Sequence, residues 1–100
     1  MGFIGKKSNA KQVNIENQFM SADYTDAFCH GIAASKQIQE LNLRGASLIS
    51  ITAKKIIGAM HLGSIKVLDF SFNPQLGDDF YEELSSLLFN PSFKLEVLML

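Results

Sequence analysis

Three hexapeptides in this chain line up: Ile38-Gln39-Glu40-Leu41-Asn42-Leu43, Ile65-Lys66-Val67-Leu68-Asp69-Phe70 and Leu95-Glu96-Val97-Leu98-Met99-Leu100. Each has apolar residues at positions 1, 4 and 6. A weaker copy, Ala10-Lys11-Gln12-Val13-Asn14-Ile15, precedes them. Starts at residues 10, 38, 65 and 95 give periods of 28, 27 and 30. A period of this size marks a supersecondary unit that cannot bury its apolar face alone and has to stack on its neighbours. We therefore divide the chain into an N-terminal arm or cap (1–9) and a repeat domain (10–100). The repeat domain has units 10–37, 38–64 and 65–94 and a fourth strand at 95–100.

The correspondence extends past the hexapeptides. Between the first two units, Val13/Leu41, Ile15/Leu43, Met20/Leu48, Phe28/Ile56 and Ile32/Met60 are each 28 residues apart. Leu76, Leu84 and Leu88 again fall 28 after Leu48, Ile56 and Met60, yet Leu41/Leu68 and Leu43/Phe70 are 27 apart. One extra residue must therefore lie between Phe70 and Leu76, and Asn73-Pro74-Gln75 is the natural place for it.

The period changes within each unit. Alternation at positions 4 and 6 is that of a strand with one buried face. The later apolar residues, Phe28/Ile32, Ile56/Met60 and Leu84/Leu88, are four apart and share a helix face. Ser21 or Asp23 is expected to cap the first helix and Ser47 or Ser50 the second, with Asp78-Asp79 at the start of the third. Gly63 and Asn90-Pro91 are the expected stops. Each unit reads as strand, turn, helix and loop.

Composition excludes several function classes. Nine Lys plus Arg against ten Asp plus Glu leave a net charge of −1, without the basic footprint of a nucleic-acid or anionic-membrane binder. Eight Phe in a chain that is 47% hydrophobic supply enough apolar surface to offset the entropy of ordering. No apolar run reaches the roughly 18 to 20 residues that cross a bilayer. Cys29 is the only cysteine, so no internal disulfide forms, and an unpaired thiol suits a reducing, cytoplasmic compartment. Met1-Gly2-Phe3-Ile4-Gly5-Lys6-Lys7 lacks the apolar core of a secretory signal, and Lys6 stands where myristoylation wants Ser or Thr. It reads as a solvated basic arm.

A short strand followed by a helix in this apolar pattern resembles the leucine-rich-repeat family. Ile38, Leu41, Leu43 and Leu48 carry the likeness, then Ile65, Leu68, Phe70, Asn73 and Leu76, then Leu95, Leu98 and Leu100. Periods near 28 with a full helix, and the turn Asn73-Pro74-Gln75-Leu76-Gly77-Asp78-Asp79, are similar to the ribonuclease-inhibitor-like subclass. The resemblance implies an α/β fold: a right-handed, curved horseshoe segment of a solenoid, with a parallel sheet on its concave face and helices on its convex face. The family's turn asparagine, whose amide satisfies backbone groups inside the bend, is present only as Asn73; Ala46 and Gln18 take its place elsewhere. Ala10 opens the first unit where a large apolar residue is expected, which suits a terminal, capping-type repeat.

Little in the chain points to catalysis or to a cofactor, and we read it as a non-enzyme with no metal. His30 and His61 occupy non-equivalent positions, and no Cys/His spacing resembles a zinc site. Cys29 and His30, as helical neighbours, point about 100 degrees apart, so the thiol reads as packed rather than nucleophilic. Asp78, Asp79, Glu82 and Glu83 are the densest charge cluster, and acidic residues gather at a helix N-terminus because its dipole favours them.

The strand positions that face away from the core remain. Stacking makes them columns: Lys11, Gln12, Asn14 and Glu16; Gln39, Glu40, Asn42 and Arg44; Lys66, Val67, Asp69 and Ser71; then Glu96, Val97 and Met99. The column Asn14, Asn42, Asp69, Met99 runs from polar to apolar. A polar rim beside Val67, Val97 and Met99 suits a protein partner, and solenoids present extended surfaces of this kind. We expect a protein-interaction module using this face. The alternatives are a regulatory repeat domain of a larger signalling protein, such as a GTPase-activating protein or NOD-like receptor, or a structural or effector repeat protein. Leu95, Leu98 and Leu100 form an apolar edge, which further repeats or dimerisation are expected to cover.

Overall fold

The computed structural model describes residues 11–100; the expected arm (1–9) and Ala10 lie outside the described residues. The elements follow one another as β1 (Gln12–Asn14), α1 (Ala22–Ala34), β2 (Glu40–Asn42), α2 (Ser50–Ala59), β3 (Val67–Asp69), α3 (Asp78–Leu88) and β4 (Val97–Met99). The fold is α/β: one parallel four-stranded sheet in the order β1-β2-β3-β4, with three helices linking successive strands. Parallel strands need such crossovers, because a tight turn can join only antiparallel ones. Contacts run between neighbours, α1 with α2 and α2 with α3, as the strands do.

The register follows the spacing of the hexapeptides. Val13 pairs with Leu41, Leu41 with Leu68, and Leu68 with Leu98. The regular ladder spans three residues per strand, not the six of each hexapeptide. Flanking backbone pairs continue it: Gln39 N–H donates to Lys11 O at 2.7 Å, Ile15 N–H to Asn42 O at 3.0 Å and Asn17 N–H to Arg44 O at 2.8 Å. Regular pairing is short because the chain bends two to three residues beyond each strand. The residue there has a left-handed backbone in all three units: Asn17 (φ 62°), Gly45 (φ 63°) and Phe72 (φ 58°).

The core lies between the sheet and the helices. Strand positions 4 and 6 (Val13, Ile15, Leu41, Leu43, Leu68 and Phe70) are all buried, and so are Phe28, Ile32 and Ile56 from the helices and Met60 just after α2. Phe70 packs edge-to-face on Phe80 with ring centroids 5.1 Å apart, an arrangement aromatic pairs favour. Two details depart from the expected pattern. Leu88 is exposed, and α3 instead buries Phe80 and Leu84 with Leu87 partly covered, the i, i+4, i+7 stripe of a helix with a helical neighbour on one side only. Leu98, in the edge strand, is half-buried where Leu41 and Leu68 are buried.

The helix starts divide the same way. Ser21 caps α1, its Oγ accepting the Tyr24 N–H at 3.2 Å. Neither Ser47 nor Ser50 caps α2: Ile49 holds that position and its N–H donates to Thr52 Oγ1 at 3.1 Å. Ser50 serves the next helix instead, its Oγ accepting the Gly77 N–H at 2.8 Å where α3 begins. The strands β2 and β3 are offset by 27 residues, whereas Ser50 and Asp78, the first residues of α2 and α3, are 28 apart. The extra residue is taken up in the turn closed by Leu76 N–H on Asn73 O, at 3.2 Å.

Candidate functional site

Each strand is so short that its outward residues number two, at positions 3 and 5, flanked by positions 2 and 7. The register brings Gln12, Glu40, Val67 and Val97 side by side, and Asn14, Asn42, Asp69 and Met99 beside them. These are the expected columns. Side chains cross-link them at the β1 end: Gln12 Nε2 donates to Glu40 Oε2 at 3.1 Å, Asn42 Nδ2 to Glu16 Oε1 at 3.3 Å, and Arg44 Nε lies 3.7 Å from Glu16 Oε2. Toward β4 the face turns apolar: Val97 is exposed, and exposed Met99 and half-buried Val67 line a shallow depression with Glu40, Asn42 and Asp69. Gln39 and Glu96 are exposed at position 2, and Lys66, half-buried, lies 4.0 Å from the Glu96 carboxylate.

Position 5 does a second job. Asn14 Oδ1 accepts the Glu16 N–H at 2.9 Å, Asn42 Oδ1 the Arg44 N–H at 3.0 Å, and Asp69 Oδ1 the Ser71 N–H at 2.9 Å. The same i to i+2 bond therefore closes three successive strands, a turn that Asn and Asp make with their own backbone. Asp69 also accepts from the Ser71 hydroxyl and is buried, at 6% exposure, where an exposed surface residue was expected. Its carboxylate faces its own turn, so the polar members of this column hold the sheet edge as well as lining the face.

The bend after β3 carries two residues that strand alternation does not reveal. Asn73 is buried, with Nδ2 donating to Leu43 O, Phe70 O and Ser71 O at 2.9 to 3.1 Å while Oδ1 accepts the Leu48 N–H at 3.0 Å. One amide thus satisfies four backbone groups inside the bend. Phe72, at 69% exposure, has the Arg44 guanidinium 4.2 Å above its ring, within cation–π range. The available signal was positional: Phe72 stands in register with Asn17 and Gly45, two residue types suited to a left-handed backbone.

The remaining candidates lie on or beside the helices. Cys29 lies in a groove between α1 and α2 with Asp26, His30 and Lys55. Burial and then the Asp26 carboxylate push its thiol pKa up, with Lys55 partly opposing them, and a raised pKa disfavours the nucleophilic thiolate. His61 Nε2–H donates to Ala33 O at 2.7 Å, satisfying the end of α1. Asp79, in the first turn of α3, is held below the usual aspartate range by the Ser50 hydroxyl first, then the Phe80 N–H and the Lys54 ammonium at 3.9 Å. Among the described residues no group of three His, Cys, Asp or Glu is placed to hold a metal ion, and no helix is long and apolar enough to cross a membrane. No protein-family model, no curated protein and no solved structure matches the chain.

Proposed function

We propose that the chain is a segment of a leucine-rich-repeat solenoid of the ribonuclease-inhibitor-like type, and that it is a non-enzymatic module binding a protein partner through the outward face of its sheet. The observation that carries this reading is the pairing of Leu41, Leu68 and Leu98 at one register, which aligns the outward residues of four strands in columns. A repeat that stacks in this way leaves its inward positions no freedom and its outward positions free to vary. The outward residues change from Gln12 and Asn14 to Val97 and Met99 across the sheet. A rim of hydrogen-bonding groups beside a modest apolar centre suits a protein surface. The lone Cys29 fits work in the cytoplasm.

The test is partner capture with the chain as bait. Variants on the sheet face, Glu40→Lys, Val67→Glu and Val97→Glu, are expected to lose partners that wild type and the helix-face variants Glu82→Lys and Glu83→Lys retain. Capture that ignores the sheet-face changes, or falls equally with the helix-face ones, overturns the proposal.

A further inference from the structure

Lysines far apart in the sequence meet where the helix-to-strand loops run. A groove of about 450 Å³ on that edge is lined by Lys11, Lys36, Gln37, Gln39, Ser64 and Lys66. Lys94 belongs to the same edge, since its N–H donates to Leu62 O at 3.5 Å, beside the Gly63-Ser64 turn. Among the described residues, Arg44, Lys54, Lys55 and Lys66 each stand within 4.0 Å of a carboxylate. Lys11, Lys36 and Lys94 do not. Among the described residues, the cations without an ion pair thus collect on one edge of a chain whose net charge is −1.

We infer that this groove binds an acidic segment of a partner protein. It rests on the reading of the chain as a binding module and adds the chemistry of what is bound. Ammonium groups recognise carboxylates as point charges, and the Gln37 and Gln39 carboxamides add hydrogen-bond donors. Two features favour an acidic peptide over a nucleic acid or a lipid surface. Among the described residues no aromatic or aliphatic side chain lines the groove, so none of them would stack on a base or enter a bilayer. Glu96, 4.0 Å from Lys66, would repel an unbroken phosphate backbone, whereas a peptide places its carboxylates at intervals.

Fluorescence anisotropy tests this with a labelled glutamate-rich peptide and its glutamine counterpart at low ionic strength. The wild-type chain is expected to bind the glutamate peptide with an affinity that falls as salt rises. Lys11→Glu with Lys36→Glu weakens it by about tenfold or more, roughly the loss of one factor of ten per 1.4 kcal/mol. Lys54→Glu with Lys55→Glu, the same change in net charge on the helices, leaves it within about twofold. Equal binding of the glutamine peptide, equal loss in the helix pair, or tighter binding of single-stranded oligonucleotide or phosphatidylserine vesicles overturns the inference. Failure of peptide binding while the sheet-face variants still abolish partner capture removes this groove alone and leaves the sheet-face reading standing.

Discussion

After β2 the chain turns on Gly45 and Ala46, and after β3 it turns on Phe72 and Asn73. The backbone path is shared: Gly45 and Phe72 are both left-handed, at φ 63° and 58°, and the residue after each is buried. The hydrogen bonding differs. Behind the first bend, Ala46 O accepts the Met20 N–H of the preceding unit at 3.2 Å. In the second, Asn73 O is turned inward to the Leu76 N–H, and the side chain takes over, Oδ1 accepting the Leu48 N–H. Met20 and Leu48 are equivalent positions. The extra residue of the third unit thus withdraws a backbone carbonyl from the stack, and an asparagine amide replaces it. Where the turn is one residue shorter, alanine suffices.

This contrast sets the largest expected effect. Asn73→Ala leaves Leu48 N–H without its acceptor, and Leu43 O, Phe70 O and Ser71 O without the amide donor, all in a buried bend. A buried polar group that loses its partner costs about 1 to 3 kcal/mol, so we expect a loss of about 3 to 5 kcal/mol in urea unfolding. At the equivalent position Gln18 is exposed, its Oε1 accepting from the Tyr24 hydroxyl at 3.3 Å. Gln18→Ala is expected to cost less than about 0.5 kcal/mol, as surface changes do. Equal effects at the two sites would break the comparison.

The second effect is steric. A Cβ on Gly45 would lie 2.5 Å from Asn17 Oδ1, and its φ of +63° is one that L side chains such as alanine's rarely adopt. Gly45→Ala is expected to cost about 1 to 2 kcal/mol for the left-handed backbone, plus whatever displacement Asn17 requires. Asn17→Gly removes the clashing amide, so in the Gly45→Ala background it should restore part of the loss. A double-mutant cycle reads this directly. Strict additivity would mean that the two bends do not touch through these side chains.

The same bends explain which features were legible in the sequence. Leu41 and Leu68 announced the register because burial forces one residue type at one spacing, and the displaced residue near Asn73 followed from comparing the 27- and 28-residue offsets. Ser50 was not legible as a cap for α3, because its partner Gly77 lies 27 residues away and a local rule assigns it to its own helix. Asp69 reads as exposed by strand alternation, yet it is buried in β3, between β2 and β4, with its carboxylate bonded to its own turn at Ser71. Leu88 reads as buried by its spacing from Leu84, but one-sided packing leaves it in solvent. The lysine groove was illegible for another reason: Lys11, Lys36 and Lys66 are isolated in the sequence, and only stacking gathers them. Periodicity reports what faces the core; it is silent on what neighbouring units do for one another at their edges.

The smallest effect tests one such edge contact by pH. Ser50 hydrogen-bonds Asp79 and accepts the Gly77 N–H, so it ties the start of α2 to the start of α3 across the bend. The Asp79 pKa is lowered on folding, chiefly by that serine hydroxyl. A carboxyl whose folded pKa lies below its unfolded one stabilises the fold above the unfolded value, about 4, and that contribution fades as pH falls through the folded value. Stability measured from pH 6 down to pH 2 should therefore decline partly through Asp79, and Asp79→Asn should flatten that part of the decline. Ser50→Ala should flatten it too, because it removes the largest cause of the shift, whereas breaking the exposed Lys54 pair by Lys54→Gln should flatten it less. If Lys54→Gln had the larger effect, surface charge and not the serine bridge would govern Asp79, and the contact between the two helix starts would lose its energetic meaning.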